Sequence, residues 1–127
     1  MKILGHGIDL VDIAEVKKWL EHPRDPLGPR CFTPTELASA GDGPNRSERL
    51  AGRFATKEAV LKALGIGFGD GTAFTDVETV AVEEGPPQIV LHGGAAAAAA
   101  KLGVATWFVS VSHEGGMAVA SVIAVGE

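Results

Sequence analysis

Apolar and polar positions along the chain follow two different periods. Between residues 2 and 11, Ile3, Ile8, Leu10 and Val11 are the apolar positions, with glycines at 5 and 7. This predicts a first strand, and glycine inside a strand often marks a close approach of backbone to backbone. From Leu50 to Leu64 the period is helical: Leu50, Phe54, Leu61 and Leu64 form one stripe. The second half returns to a period of two. "DVETVAVEE" alternates as a half-buried strand does, and "PPQIVLH" is a short partner across the turn "EGPP". "VATWFVSVSH" and "MAVASVIAV" flank "EGG" and read as a hairpin. Between these pairs, "GGAAAAAAKLG" is helical by alanine propensity and closed by Gly103.

Start and stop signals divide the first half. "DIAE" has the form of a capping box, in which Asp12 caps the helix "IAEVKKWLE" and Glu15 reaches back. Residues 22 to 31, with three prolines and a glycine, predict a loop. "TPTEL" repeats the start signal, with Thr33 as N-cap, Pro34 at the first helical position and Glu36 as the box acid. The glycine-rich "AGDGPN" separates that short helix from a long one over about Arg46 to Leu64, which Gly65, Gly67, Gly69 and Gly71 end in a loop. Helices dominate the first half and hairpin strands the second. That order predicts an α+β fold, an antiparallel sheet packed with one long helix and shorter ones.

Composition narrows the class. The 127 residues suit a single domain over 1–127, and 46% hydrophobic with 21% charged residues is an ordinary globular balance. The single cysteine, Cys31, rules out an intrachain disulfide and suits a reducing compartment. The start "MKILGHGIDLVDI" is too short and polar for a secretory signal, and no apolar run approaches the roughly 20 residues that span a bilayer. We therefore expect a cytoplasmic protein with no membrane partner. A net charge of −5 argues against broad nucleic-acid binding.

Three stretches could carry chemistry. On the long helix, Ala51, Ala55, Glu58, Lys62 and Gly65 share a narrow face beside the apolar stripe. The plain reading of Glu58 and Lys62 is an i,i+4 salt bridge, worth a few tenths of a kcal/mol. The small residues and the glycine loop suggest instead a surface something approaches. Lys57 projects close to the stripe, where its stem could lie on the core with the ammonium in water. In the first strand, Asp9 stands among apolar residues and glycines. A buried Asp must be paired or bind a metal, whereas a strand end turning into the Asp12 cap is the bland alternative. Near the C-terminus, Ser112 and His113 close a strand before a tight turn. Adjacent strand residues face opposite ways, so a direct Ser–His couple is disfavoured. His6 reads as a surface or packing residue, and no H-x-x-x-H or C-x-x-C spacing suggests zinc.

Taken in order, "GIDLVDI", "FTPTEL", "LAGRFATKEAVLKALGIG" and "VSVSHEGGMAVASVI" resemble the holo-acyl-carrier-protein synthase family of small 4′-phosphopantetheinyl transferases. The likeness runs from residue 3 to residue 125, and the R-F-A-x-K-E-A-x-x-K-A-x-G-x-G string is its specific part. It implies transfer of phosphopantetheine from coenzyme A to a serine of apo-acyl-carrier protein, serving fatty-acid biosynthesis, with release of adenosine 3′,5′-bisphosphate. It implies a homotrimer with active sites between subunits. It places Mg²⁺ on Asp9 and Glu58, against the pyrophosphate of coenzyme A, an oxygen set that a hard cation accepts. Lys62 would offset phosphate charge, with Lys57 a second candidate. Gly65 and Gly67 would let coenzyme A pass closely, and His113 would bind near the nucleotide. Glu58, directly or through water, would accept the serine proton.

Two positions depart from the family pattern. His6 stands where the family has an apolar residue, and Glu15 where it often has a base that helps bind the acidic carrier. Lys17, Lys18, Arg24 and Arg30 form the basic cluster that could compensate. The competing reading is a non-catalytic module that binds coenzyme A or another nucleotide; it would need Lys62 and the glycine loop but not both carboxylates. A purely structural subunit would need neither.

Overall fold

The computed structural model describes residues 1–22, 24–25, 27–69 and 71–127. Strand β1 (Lys2–Asp12) leads into helix α1 (Ile13–Glu21), followed by α2 (Pro34–Ala40) and the long α3 (Arg46–Leu64). Strands β2 (Val77–Val80) and β3 (Gln88–Leu91), helix α4 (Gly93–Leu102) and the hairpin β4 (Thr106–Glu114) and β5 (Met117–Gly126) complete the order. The strands make two antiparallel sheets, β1-β5-β4 and β2-β3. The fold is α+β, as the element order predicts.

The helix boundaries follow their caps. Asp12 accepts hydrogen bonds from the Ala14 and Glu15 amides, while Glu15 turns to Lys18 instead of reaching back. Asp12 is also the last residue of β1, paired with Met117, so its backbone belongs to the sheet. Thr33 and Glu36 form the full capping box, with Pro34 in the first turn. Gly65 and Gly103 end α3 and α4 in left-handed geometry. The loop reading of residues 22 to 31 gains a 3₁₀ turn at Pro29–Cys31, and its Pro23 and Pro26 lie outside the described residues.

The alternating stretch 76–84 yields a strand of four residues, preceded by a 3₁₀ turn at Phe74–Asp76. The reason is tertiary. The backbone of this segment supplies ligands to a buried ion pair: Lys57 Nζ donates to the carbonyls of Phe74 and Val77, and the Thr79 amide donates to Glu36 Oε2. On the partner side, Pro86 and Pro87 have no amide hydrogen to offer a longer ladder.

The core lies between α3 and the three-stranded sheet. Ala118, Ala120, Val122 and Ala124 of β5 face inward and are at most 1% exposed. Leu50, Phe54, Leu61 and Leu64 are all buried, as the helical stripe requires, and Phe54 packs between Trp19, edge to face, and a tilted Phe74. The other face of the sheet is open. Ile8, Leu10 and Phe108 are 53%, 62% and 56% exposed, on strands whose register sets Ile8 opposite Ser121 and Phe108 opposite Ile123.

Candidate active site

The site begins with two glycines. A Cβ placed on Gly5 would stand 2.1 Å from the Ala63 carbonyl oxygen, and one on Gly7 1.8 Å from that of Ala59. Strand β1 therefore rests its bare backbone on the alanine face of α3. Asp9 is the next residue on that face, and its side chain is 16% exposed. Lys62 Nζ, one turn along α3, donates to Asp9 Oδ1 at 3.0 Å and to the Ile8 carbonyl at 3.0 Å. The ion pair is thus Lys62–Asp9, across the two elements, and not the i,i+4 pair Glu58–Lys62. Ala51 and Ala55 are fully buried, so the room their small side chains leave is filled by the protein's own core.

Glu58 completes the group. Partial burial pushes its carboxyl above the usual range; the Asp9 charge pushes the same way, and Lys62 opposes both. Two carboxylates with one ammonium beside them form an oxygen-rich cluster short of positive charge. This donor set fits Mg²⁺, which takes one or two carboxylates together with phosphates and waters.

Lys57 corrects the sequence reading. Its side chain is wholly inside, with Nζ 2.6 Å from Glu36 Oε1 and 5.6 Å from the Phe32 ring centroid. Burial lowers its pKa, while Glu36 opposes that shift. With its three ammonium hydrogens directed at Glu36 and two carbonyls, it has none left for a phosphate. It is a structural ion pair in place of a coenzyme A ligand. The helical period explains this: Lys57 points away from the sheet, toward α2 and β2, whereas Glu58, turned by about 100°, points to β1.

Gly65 and Gly67 stand at the end of α3, and they differ. Gly65 has φ of 72° and its amide bonds to the Leu61 and Lys62 carbonyls, so the helix end itself demands glycine there. Gly67 is exposed, and an added Cβ would meet nothing within 4 Å. Gly67→Ala should therefore change stability by less than about 0.5 kcal/mol. If coenzyme A passes over this loop, the substitution will raise KM for coenzyme A while thermal melts superimpose.

His113 lies on the other flank of α3. Its ring is 3.3 Å from the position of a Gly52 Cβ and, with Arg49, Gly52, Arg53, Thr56, Thr79 and Val111, it lines a cavity of roughly 170 Å³. Its Nδ1 is 4.0 Å from Glu48 Oε1. Ser112, its neighbour, faces the opposite side of the sheet, as strand geometry requires. Sequence reasoning missed Arg49 and Arg53 as members of this group. Arg53 falls between one and two turns before Glu58 and about 140° round the helix from it, and Arg49 one turn earlier and about 180° round, where the sequence alone offers no partner. A spacing of four between two arginines, with a glycine at 52 opening the same face, was the available signal.

A sequence model of the 4′-phosphopantetheinyl transferase superfamily matches residues 5–121. The chain belongs to this superfamily. The transferase chain is 42% identical over 121 residues to the holo-[acyl-carrier-protein] synthase of Geobacter sulfurreducens, covering 95% of this chain and 96% of that protein. It is 43% identical over 126 residues to the synthase of Edwardsiella ictaluri, covering 99% and 100% of the two. Its fold matches the Helicobacter pylori synthase in complex with coenzyme A, with a TM-score of 0.80 at 30% identity over 94% of this chain and 99% of that one. The Bacillus anthracis synthase in complex with CoA (3′,5′-ADP) matches with a TM-score of 0.78 at 30% identity over 98% of each.

Proposed function

We infer that this transferase moves 4′-phosphopantetheine from coenzyme A to a serine of an apo-acyl-carrier protein and releases adenosine 3′,5′-bisphosphate. The observation that carries this reading is the meeting of Asp9, Glu58 and Lys62 where glycines let β1 touch α3. Asp9 and Glu58 would hold Mg²⁺, which, when bound, draws charge from the phosphoryl oxygens. Glu58, directly or through a water, would accept the serine proton. The serine oxygen attacks the β-phosphorus, the bond from that phosphorus to the bridging oxygen breaks, and the bridging oxygen leaves with the bisphosphate. Lys62 is 54% exposed, so its ammonium can turn from Asp9 toward the leaving phosphate. A nucleotide-binding module without catalysis would gain nothing from a second, mutually repelling carboxylate. The direct test is incubation with coenzyme A, Mg²⁺ and several apo-carriers. Transfer adds one phosphopantetheine to the mass of a carrier; no gain on any carrier, the cognate one included, rejects the reading.

The carboxylate cluster and the His113 cavity lie on opposite flanks of α3, so within one chain the helix stands between them. A second copy setting its β4 edge beside the β1 edge of the first would bring the two halves together, and such head-to-tail contacts make a ring when the rotation between copies closes. The exposed Ile8, Leu10 and Phe108 supply an apolar face for that contact. We take the assembly to be the homotrimer implied by the family resemblance. Mixing inactive Glu58→Gln with inactive Arg53→Gln, after mild dissociation and reassembly, should restore transfer, because some sites then receive an intact half from each chain. Reassembled mixtures that stay inactive would place both halves of each site in one chain.

Carrier docking falls to Lys17, Lys18, Arg24 and Arg30, all exposed near α1, with Glu15 drawn to Lys18 at 3.4 Å. Such steering weakens with salt. Among the described residues no helix is long and apolar enough to cross a membrane. We place the activity in the cytoplasm, where a lone cysteine stays reduced.

A further inference from the structure

Two residues that line the His113 cavity each carry a buried polar atom with no hydrogen-bond partner among the described residues: Arg53 Nε and Thr79 Oγ1. Their neighbours are satisfied. Thr56 Oγ1 donates to the Gly52 carbonyl, Arg49 Nη1 to the Ala40 carbonyl, and Arg53 Nη2 to Ser39 Oγ. Thr79 is only 6% exposed, so its idle hydroxyl carries the cost of burial without a bond. An N–H and an O–H left without partners just behind the wall of one small cavity, the hydroxyl free to turn about its side-chain torsion, suit a ligand atom that only accepts hydrogen bonds. An anionic oxygen is such an atom.

Thr79 is also held with unusual firmness for a strand of four residues. Its amide donates to Glu36 Oε2 at 3.1 Å. Glu36 Oε1 accepts from the Thr33 amide at 3.0 Å and from Lys57 at 2.6 Å, and both charged side chains are 0% exposed. The ion pair joins α2, α3 and β2, while its own atoms face no substrate. It sets the distance between the α3 wall of the cavity, with Arg53, and the β2 wall, with Thr79.

We propose that Thr79 is a binding residue for a phosphate oxygen at the nucleotide end of coenzyme A, and that Glu36, anchored by Lys57, is the positioning residue that sets it there. The proposal rests on the reading of the His113 cavity as the nucleotide half of the transferase site.

The test titrates the whole folded protein with adenosine 3′,5′-bisphosphate in a calorimeter, beside thermal melts and coenzyme A kinetics. Thr79→Val keeps the shape and removes the idle hydroxyl. It should melt at or above the wild-type temperature, yet bind the bisphosphate five- to tenfold more weakly and raise KM for coenzyme A by the same factor, with kcat within twofold. Thr79→Ser should retain the affinity. Glu36→Asp keeps both buried charges but draws the carboxylate back by one methylene. It should weaken binding about as much as Thr79→Val, and add nothing further in the Thr79→Val background, because it acts through that residue. Unchanged bisphosphate affinity in Thr79→Val overturns the binding role, and equal losses from Glu36→Asp in both backgrounds overturn the positioning role. The cavity reading is checked separately: it fails if the wild type does not bind the bisphosphate, or if Arg53→Gln binds it as tightly as the wild type.

Discussion

Glu58→Gln should give a protein that melts at or above the wild-type temperature at pH 7 and transfers at least about a hundredfold more slowly, the usual range for loss of a general base. The stability effect, read in the absence of Mg²⁺, comes from where folding places the group. Folding places the Glu58 carboxyl in a partly buried site beside Asp9, and both raise its pKa. A carboxyl whose folded pKa lies above its unfolded one binds more protons folded than unfolded, so stability falls as pH rises through that window. Above the folded pKa the protein holds an unfavourable charge that glutamine lacks. The stability advantage of Glu58→Gln should therefore be full at neutral pH and vanish as pH falls toward the ordinary carboxylate value of 4.5. Mg²⁺ should raise the melting temperature of the wild type by binding the folded state. It should do so far less in Glu58→Gln and in Asp9→Asn. A purified Glu58→Gln that turns over at near-wild-type rates would remove Glu58 from the chemistry, and melts insensitive to Mg²⁺ in every variant would remove the metal assignment.

Gly7→Ala carries the second large effect. The added methyl would begin 1.8 Å from the Ala59 carbonyl oxygen and 2.7 Å from its carbon, both backbone atoms within a helix. No rotamer change relieves such a contact, so β1 must lift from α3. Overpacking usually costs about 1–3 kcal/mol, and a backbone obstacle puts this position at or beyond the top of that range. Denaturant unfolding should show the loss as a lower midpoint with little change in slope. The same displacement carries Asp9 away from Glu58 and Lys62, two residues along. The folded fraction of Gly7→Ala should thus lose more than about tenfold in transfer rate, since a misplacement of about 1 Å can cost about a hundredfold when reacting groups are prealigned. A variant that folds as well as the wild type and transfers normally would show that the close approach of β1 is unrelated to the site.

Much of the local structure was legible in the residues. Asp12, Thr33 with Pro34, and Gly65 mark helix ends because caps act within a turn of their own position. Gly115 and Gly116, with φ of 60° and 79°, close the β4–β5 hairpin because that turn needs positive φ at both residues. Asp9, Glu58, Lys62 and His113 stood out by residue type against their surroundings. Lys57 was misplaced for the opposite reason: a lysine on a helix is ordinarily a surface residue, and its partner Glu36 looked fully employed in the capping box. The box is real, yet one carboxylate serves both tasks, with Oε1 shared between the Thr33 amide and Lys57. Nothing in the spacing of positions 36 and 57 announces a contact between different helices.

The residues by themselves determined the element types, the helix ends, the family and the acids set against type, all of which depend on neighbours a few positions away. The tertiary structure decided three other things: that β1 rests bare on α3, so Asp9 pairs with Lys62; that Lys57 turns inward to Glu36; and that Arg49, Arg53 and Thr79 join His113 on the far flank of the helix. Each depends on which elements pack together and on which side of a helix a charge emerges, and the free energy of such contacts belongs to pairs far apart in the chain.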